Sequence, residues 1–239
     1  MYPELKFIYS KRKDLEIFLG FIETNKYFDK SEDLKIGFFS IFPELRDTEK
    51  MATEEAKKKA QKIIDKEYSK KKKTIEKNLK KIKADWQKVA PWFYKECDRI
   101  FESQPWPEGK YIAYTTIWGI YPRFLGDKTF TFPYKHKLKN YPLVVIAHEM
   151  LHFMFYDYLF KNYPKYKNKQ YEEKIWGMSE IFNPLIQNSG RWQRKLEQKV
   201  IIYSKLKPEI KKMQKILLPD FTAKDFTENW EKLKELKKY

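Results

Sequence analysis

The chain of 239 residues is long enough to bury a substantial core, either as one domain with helical additions or as two small domains. Its 42% of apolar and 18% of aromatic residues exclude an intrinsically disordered protein, and its seven glycines argue against a turn-rich all-β fold. The net charge of +17 would attract nucleic acid, an anionic membrane surface or an acidic protein, unless lysine is simply the solubilising residue here.

Cysteine content and the terminal sequence bear on the cellular compartment. The single cysteine, Cys97, excludes an intramolecular disulfide framework. Histidines and acidic residues interrupt the richest apolar stretch, residues 143–160, so that no run reaches the length of a membrane span. The first ten residues lack the basic and then apolar layout of a secretory signal. We therefore expect a cytoplasmic protein without a membrane-spanning segment.

The N-terminal part of the chain, residues 1–104, is predicted to be a helical region. After a first amphipathic helix, the pattern over residues 47–90 favours one long lysine-rich helix. Asp47 or Thr48 can cap its N-terminus, and Pro91 marks an end or a kink. An apolar seam along its second half is expected to pack within the protein.

The composition changes at residues 104–109, where prolines and a glycine interrupt regular structure. The β-branched and aromatic residues of Tyr111–Trp118 favour a strand. Aromatic residues occupy every second position of residues 129–134, which is the period of a strand. The proline among them is typical of an edge strand. Two strands are therefore predicted ahead of the next apolar segment.

Helices are predicted for most of the remaining chain. One extends from about Pro142 to Phe160, and a second covers Gln170–Ile186. Residues 191–239 read as two or three amphipathic helices. The predicted class is therefore α+β and predominantly helical, with a core over residues 105–190 and a C-terminal helical region over 191–239.

The segment His148-Glu149-Met150-Leu151-His152 carries the sequence HExxH within the apolar helix. Histidines four residues apart lie on one helix face, about 6 Å apart along the axis, so both can reach one zinc ion. Glu149 cannot point the same way as both, but it can approach the open side of the metal and take a proton from a water there. The alternative is a pair of core histidines that are satisfied by hydrogen bonds.

A catalytic zinc ion usually has three protein ligands, and no histidine follows His152. The third ligand must therefore be a carboxylate or His136. Asp157 would face away from His152 on the same helix, about 140° around it. Glu172 and Glu173 open a charged stretch and are expected to be solvated.

Glu180 is the preferred third ligand, because its apolar neighbours would leave an unpaired carboxylate poorly hydrated. The 28 residues that separate it from His152 are enough for a turn and a returning helix. Asn183, one turn beyond Glu180, could orient a zinc-bound imidazole.

These positions resemble those of the gluzincins, zinc peptidases that carry HExxH on one helix and a glutamate ligand on a later one. The short interval and the Ser179-Glu180 context are similar to the minimal members, the minigluzincins. The resemblance covers about residues 110–187. It implies a zincin-like core in which the strand at residues 129–134 lies beside the cleft and binds an extended peptide. It further implies zinc binding by His148, His152 and Glu180, with Glu149 as general base and acid.

The sequence departs from the thermolysin-like pattern in two respects. Pro184 replaces the carboxylate that follows the glutamate ligand by four residues, and the downstream catalytic histidine is absent. The resemblance therefore leaves stabilisation of the oxyanion to a tyrosine, an arginine or the zinc ion.

The function predicted from the sequence is hydrolysis of peptide bonds by a zinc-dependent peptidase. One alternative is a protease recruited to nucleic acid by its basic surface. SprT-like proteases act on proteins at nucleic acid in this way, but they use a third histidine that is missing here. The other alternative is a latent or non-catalytic zinc-binding scaffold. Cys97 is either a masking thiol for such a site or a buried structural residue.

Overall fold

The computed structural model describes residues 2–29 and 31–235. Within these residues the protein is an α+β fold dominated by helices, with one mixed four-stranded sheet, which confirms the predicted class. The chain forms two compact units. A sheet unit combines Glu4–Asp85 with Lys110–Lys137, and a helical unit combines the residues up to Pro3, Trp86–Gly109 and the described residues from Leu138 onward. Our division of the sequence at residues 104 and 190 stays a prediction of domain organisation.

The sheet unit contains four strands in the order β1-β2-β4-β3. β1 pairs with β2, and β2 with β4, in parallel, whereas β3 and β4 are antiparallel. Their bounds are Leu5–Tyr9 for β1, Tyr111–Thr116 for β2, Arg123–Phe124 for β3 and Thr129–Pro133 for β4.

β4 lies inside the sheet, so the prediction of an edge strand at residues 129–134 was wrong. The short strand β3 pairs with its first two residues, Thr129 and Phe130. Pro133 is compatible with this position because it is the last residue of the strand. The absence of its N–H therefore does not interrupt the hydrogen bonds between the strands. All five residues of β4 are buried.

Helix α1, Lys11–Phe28, begins after Ser10, whose hydroxyl accepts a hydrogen bond from the Lys13 amide at 3.1 Å. A short helix α2, Ser31–Leu34, continues into a π-helical turn over Lys35–Phe39. These helices cover a core of aromatic and aliphatic residues in the sheet unit, which includes Phe18, Phe38, Phe42, Leu45, Ile64 and Trp118.

Helix α3 extends from Thr53 to Ile100 and is longer than the sequence predicted. Asp47 and Thr48 do not cap it, because they belong to a separate 3₁₀ helix, Pro43–Lys50. Pro91 does not end it either, although an internal proline costs about 3 kcal/mol. The buried side chains of Val89 and Phe93 flank the proline, and their packing offsets this local cost.

The helical unit holds the remaining helices. They are α4, Tyr141–Asn162; α5, Glu172–Gln187; α6, Gly190–Leu196; α7, Lys207–Ile216; and α8, Ala223–Glu235. Short 3₁₀ helices cover Pro164–Lys167, Lys169–Tyr171 and Ser204–Leu206. Pro142 and Pro208 each lie in the first turn of a helix, where a proline removes no intrahelical hydrogen bond.

An aromatic cluster joins the helices of this unit. The ring of Phe182 on α5 stacks on Phe155 of α4, with 4.6 Å between ring centroids. It also contacts Phe101, the residue that follows the C-terminus of α3, and Phe226 of α8, at centroid distances of 5.8 and 5.1 Å. All four rings are almost fully buried, so this cluster fixes α5 against α4.

Among the helices in the described part of the chain, α4 alone is long and apolar enough to cross a membrane, judged by length and composition. This differs from the expectation that no segment reaches that length. However, 78% of the most apolar 18-residue segment of α4 is buried inside the protein, as in the core helix of a globular domain.

Candidate metal centre

The HExxH residues lie in the middle of α4, and Glu180 lies in the middle of α5. The two helices are connected by the short 3₁₀ helices between Pro164 and Tyr171, so α5 returns along α4 as the sequence predicted. His152 and Glu180 are buried, and the side chain of His148 is 12% exposed.

Three side chains converge on one point. The Nε2 atoms of His148 and His152 lie 3.0 Å apart. One carboxylate oxygen of Glu180 is 3.4 Å from Nε2 of His148, and its other oxygen is 3.4 Å from Nε2 of His152. These residues form a group that could hold a metal ion, and His136, the alternative third ligand, is not part of it.

The distances fit a zinc ion. Ligands that bind zinc at about 2.0–2.1 Å in a tetrahedral arrangement are about 3.3–3.4 Å from one another. The two imidazole nitrogens are 3.0 Å apart, and each lies 3.4 Å from a different carboxylate oxygen of Glu180. These separations are close to the value for zinc. Two imidazoles and one carboxylate are also a donor set that zinc accepts, with a fourth position left open.

Gln187 determines which nitrogen of His148 faces the cluster. Its side-chain oxygen lies 2.8 Å from Nδ1 of His148, while its amide nitrogen donates to the main-chain oxygen of Val144 at 2.9 Å. Because the amide nitrogen is engaged by that carbonyl, the amide oxygen faces the ring and accepts from Nδ1–H. The neutral imidazole then keeps a lone pair on Nε2, which is the form that binds a metal.

Asn183 does not play the part that the sequence suggested. Its side-chain nitrogen donates to the main-chain oxygen of His148, at 2.9 Å, and not to an imidazole. Gln187 lies one further turn along the same face of α5, since positions 180, 183 and 187 follow helical spacing. That spacing was the sequence signal that could have identified Gln187.

Burial and the neighbouring negative charges shift the pKa of His148 in opposite directions. Burial alone would lower its pKa, but the hydrogen bond and negative charge of Glu180, together with Glu149 and Gln187, outweigh this and raise the pKa. Without a metal, the negative charge of Glu180 therefore favours the protonated form of His148. A zinc ion would replace the proton as the positive charge beside Glu180.

Glu149 lies next to the cluster but outside the ligand group. It is 5% exposed, so its carboxylate is largely removed from bulk water. Burial and, secondarily, the charge of Glu149 raise the pKa of Tyr141 to about 12. The charge of Glu149 therefore raises the pKa of both Tyr141 and His148 within the low-dielectric interior.

The other carboxylates considered from the sequence lie outside the cluster. Asp157 accepts a hydrogen bond from Gln104 at 2.7 Å and forms an ion pair with Lys161. Glu172 and Glu173 are exposed, as expected.

Cys97 is fully buried in α3. Burial, together with the charges of Asp98 and Glu96, raises the pKa of its thiol well above the usual range. The thiolate, which is the zinc-binding form, is therefore disfavoured, and this favours the structural interpretation of Cys97 over the masking one.

Compared with known proteins, the chain matches no family model, no curated protein and no solved structure. The resemblance to the gluzincins therefore depends on the HExxH segment and Glu180 alone. The zincin-like arrangement of the sheet and the motif helix stays a prediction.

Proposed function

We propose that the protein is a zinc-dependent peptidase with a ligand set of two histidines and one glutamate. The observation that supports this most strongly is the convergence of His148, His152 and Glu180 at separations of 3.0–3.4 Å. The motif explains only the two histidines, which are neighbours on one helix turn. The carboxylate comes from a different helix, and its position at a zinc-like distance from both rings requires the tertiary fold.

Each residue has a separate role in the proposed hydrolysis. When bound, zinc supplies a Lewis acid that lowers the pKa of a water molecule and polarises a carbonyl oxygen. His148, His152 and Glu180 hold the ion, and Gln187 keeps His148 in the binding tautomer. Glu149 accepts the proton of the attacking water and delivers it to the leaving amine. This role requires a carboxylate that is close to the ion but not bound to it.

The proposal is tested by measuring zinc content and peptide hydrolysis on the same protein samples. Wild-type protein should contain zinc in about equimolar amount and should cleave members of an unbiased peptide library. The variant Glu149→Gln should retain the zinc and lose hydrolysis, because an amide cannot accept the proton. Glu173→Gln is the matched control, since it makes the same change at an exposed position of α5.

The double variant His148→Ala, His152→Ala should lose the zinc. Retention of zinc by this variant would show that the ion binds elsewhere, and full hydrolysis by Glu149→Gln would eliminate Glu149 as the base.

The burial of the ligands supports a second candidate function, a zinc site that is structural or closed to substrate. The three ligand side chains are only 0–12% exposed. Structural zinc sites are closed, whereas catalytic sites keep a position open to water and substrate. Equimolar zinc in a wild-type protein that cleaves no library peptide would favour this second function.

A further inference from the structure

One exposed face of α3 carries a straight row of lysines in the sheet unit. The steps along the chain are four, four, three, four and three residues, which is the spacing of a single helix face. At 100° per residue the positions fall within an arc of about 80°, and the row is about 27 Å long. We call this row the lysine stripe; all its members are exposed, and they are Lys62, Lys66, Lys70, Lys73, Lys77 and Lys80.

The opposite face of the helix is held in the core. Ile64, Tyr68 and Ile75 are buried there in the hydrophobic cluster of the sheet unit. The helix therefore cannot rotate to hide the lysines, and the stripe is a fixed feature of the surface.

The acidic residues of the same helix segment do not neutralise the stripe. Between Lys57 and Lys88 there are fourteen lysines and four acidic residues. Each of the four is engaged elsewhere: Asp65 pairs with Lys11, Glu67 with Lys71, Asp85 with Lys81, and Glu76 accepts from the hydroxyl of Tyr9. Within residues 2–29 and 31–235, no member of the stripe forms an ion pair.

We propose that the lysine stripe binds the phosphodiester backbone of nucleic acid without reading its sequence. Lysine contacts to phosphates position a protein on nucleic acid, whereas base recognition needs side chains that reach base edges. A row of uniform positive charges fits a partner whose negative charges repeat regularly along a line. The length of the stripe corresponds to about eight base pairs along the axis of a duplex, at about 3.4 Å each.

Two other anionic partners fit the stripe less well. A helix that lies on a membrane presents apolar side chains beside its lysines. None of the large hydrophobic residues that are exposed in the described chain belongs to α3. Protein interfaces are depleted of lysine and depend on buried aromatic or arginine anchors, which the stripe does not contain.

The salt dependence of binding gives the proposal a quantitative form. If all six lysines contact phosphates of duplex DNA, the logarithm of the binding constant should fall with the logarithm of salt concentration with a slope of about −5. Single-stranded DNA should give a slope of about −4. These values concern the full wild-type chain and do not require the metal site.

The test uses fluorescence anisotropy with a labelled 20-base-pair duplex of random sequence and the corresponding single strand. In the stripe variant all six lysines are changed to glutamine, which keeps helix propensity. The control variant changes six exposed lysines of the helical unit to glutamine: Lys167, Lys169, Lys195, Lys199, Lys207 and Lys211. Each variant loses six positive charges, so a difference in their affinity for DNA reflects the position of those charges and not the net charge. A third variant, with arginine at all six stripe positions, restores the charge.

Wild-type protein, the control variant and the arginine variant should bind at low salt, and the stripe variant should bind at least 10-fold more weakly with a shallower salt slope. Circular dichroism should show the same helix content in all four proteins. The proposal is overturned by equal losses in the stripe and control variants or by no binding of wild-type protein at low salt. Preferential binding to phosphatidylserine vesicles over both DNAs would also overturn it. Binding that survives in Glu149→Gln and in metal-free protein would separate this surface from the proposed peptidase.

Discussion

The side-chain oxygen of Gln187 lies 2.8 Å from Nδ1 of His148, and the same amide is held by the main-chain oxygen of Val144. This contact connects the C-terminal turn of α5 to the middle of α4. It means that α5 provides both a proposed zinc ligand, Glu180, and the group that orients another ligand. Such outer contacts typically contribute 10- to 100-fold to metal affinity.

Replacing Gln187 should therefore weaken zinc binding without removing a ligand. We expect Gln187→Leu to bind zinc about 10- to 100-fold more weakly, because His148 loses the acceptor that fixes its tautomer. Gln187→Glu keeps an acceptor oxygen for Nδ1 but loses the donor to the Val144 carbonyl, so it should bind zinc more tightly than Gln187→Leu. The measurement is competition for zinc with a chromogenic chelator.

Gln170→Leu is the control for this series, because Gln170 is exposed and lies ahead of α5. Its zinc affinity should equal that of the wild type. If Gln187→Leu also binds zinc as tightly as the wild type, Gln187 does not orient His148.

Asp14 gives the sheet unit a pH-dependent stability. Its carboxylate is buried and accepts hydrogen bonds from the hydroxyls of Tyr68 and Thr116 and from the Ile117 amide. Burial is the largest influence and raises the pKa of Asp14 to about 7, although the three hydrogen bonds oppose it. The protonated form is therefore favoured by folding. Its contribution to stability is present below about pH 4 and is lost as the pH rises through about 7.

We expect the free energy of unfolding of the wild type to fall between pH 5 and pH 8, by an amount on the order of 3 kcal/mol from Asp14. Asp14→Asn cannot ionise, so its stability should vary much less over this range. Asp127→Asn, an exposed residue with the same change, should keep the wild-type pH dependence. Urea denaturation at several pH values provides the comparison, and parallel profiles for the wild type and Asp14→Asn would refute the explanation.

Phe182 should be essential for the stability of the helical unit. The residue is fully buried, and its ring stacks on Phe155 at 4.6 Å. Phe182→Ala should destabilise the protein by about 3–5 kcal/mol, because it removes the packed ring and leaves a cavity. Ile201→Ala, at a side chain that is 62% exposed, should change stability by less than about 0.5 kcal/mol. A loss below about 1 kcal/mol for Phe182→Ala in urea denaturation would show that the ring does not fix α5 against α4.

The cluster was predictable because its sequence signals are local. His148 and His152 share a helix face by spacing alone, and Glu180 stands out as an acidic residue among apolar neighbours. Gln187 follows Glu180 and Asn183 at helical spacing, but this spacing becomes informative only when the partner of the amide is known. Its contact with His148 depends on how α5 packs against α4.

The errors in the fold prediction concern long-range packing. The strand β1, Leu5–Tyr9, was not predicted, because it is stabilised by pairing with β2, far along the chain. For the same reason β4 was mistaken for an edge strand. Its proline is visible in the local sequence, whereas its pairing with the neighbouring strands β2 and β3 is not. Pro91 was expected to end or kink the long helix. α3 does not end there, because the buried residues around the proline keep the helix continuous, and the kink stays a prediction.

The most direct test of the proposed metal site is an anomalous diffraction map of the zinc-loaded protein, recorded at the zinc absorption edge. We expect one peak between α4 and α5, about 2.0–2.2 Å from Nε2 of His148, Nε2 of His152 and a carboxylate oxygen of Glu180. The absence of a peak there, or a peak whose ligands do not include these three residues, would contradict the proposed zinc site.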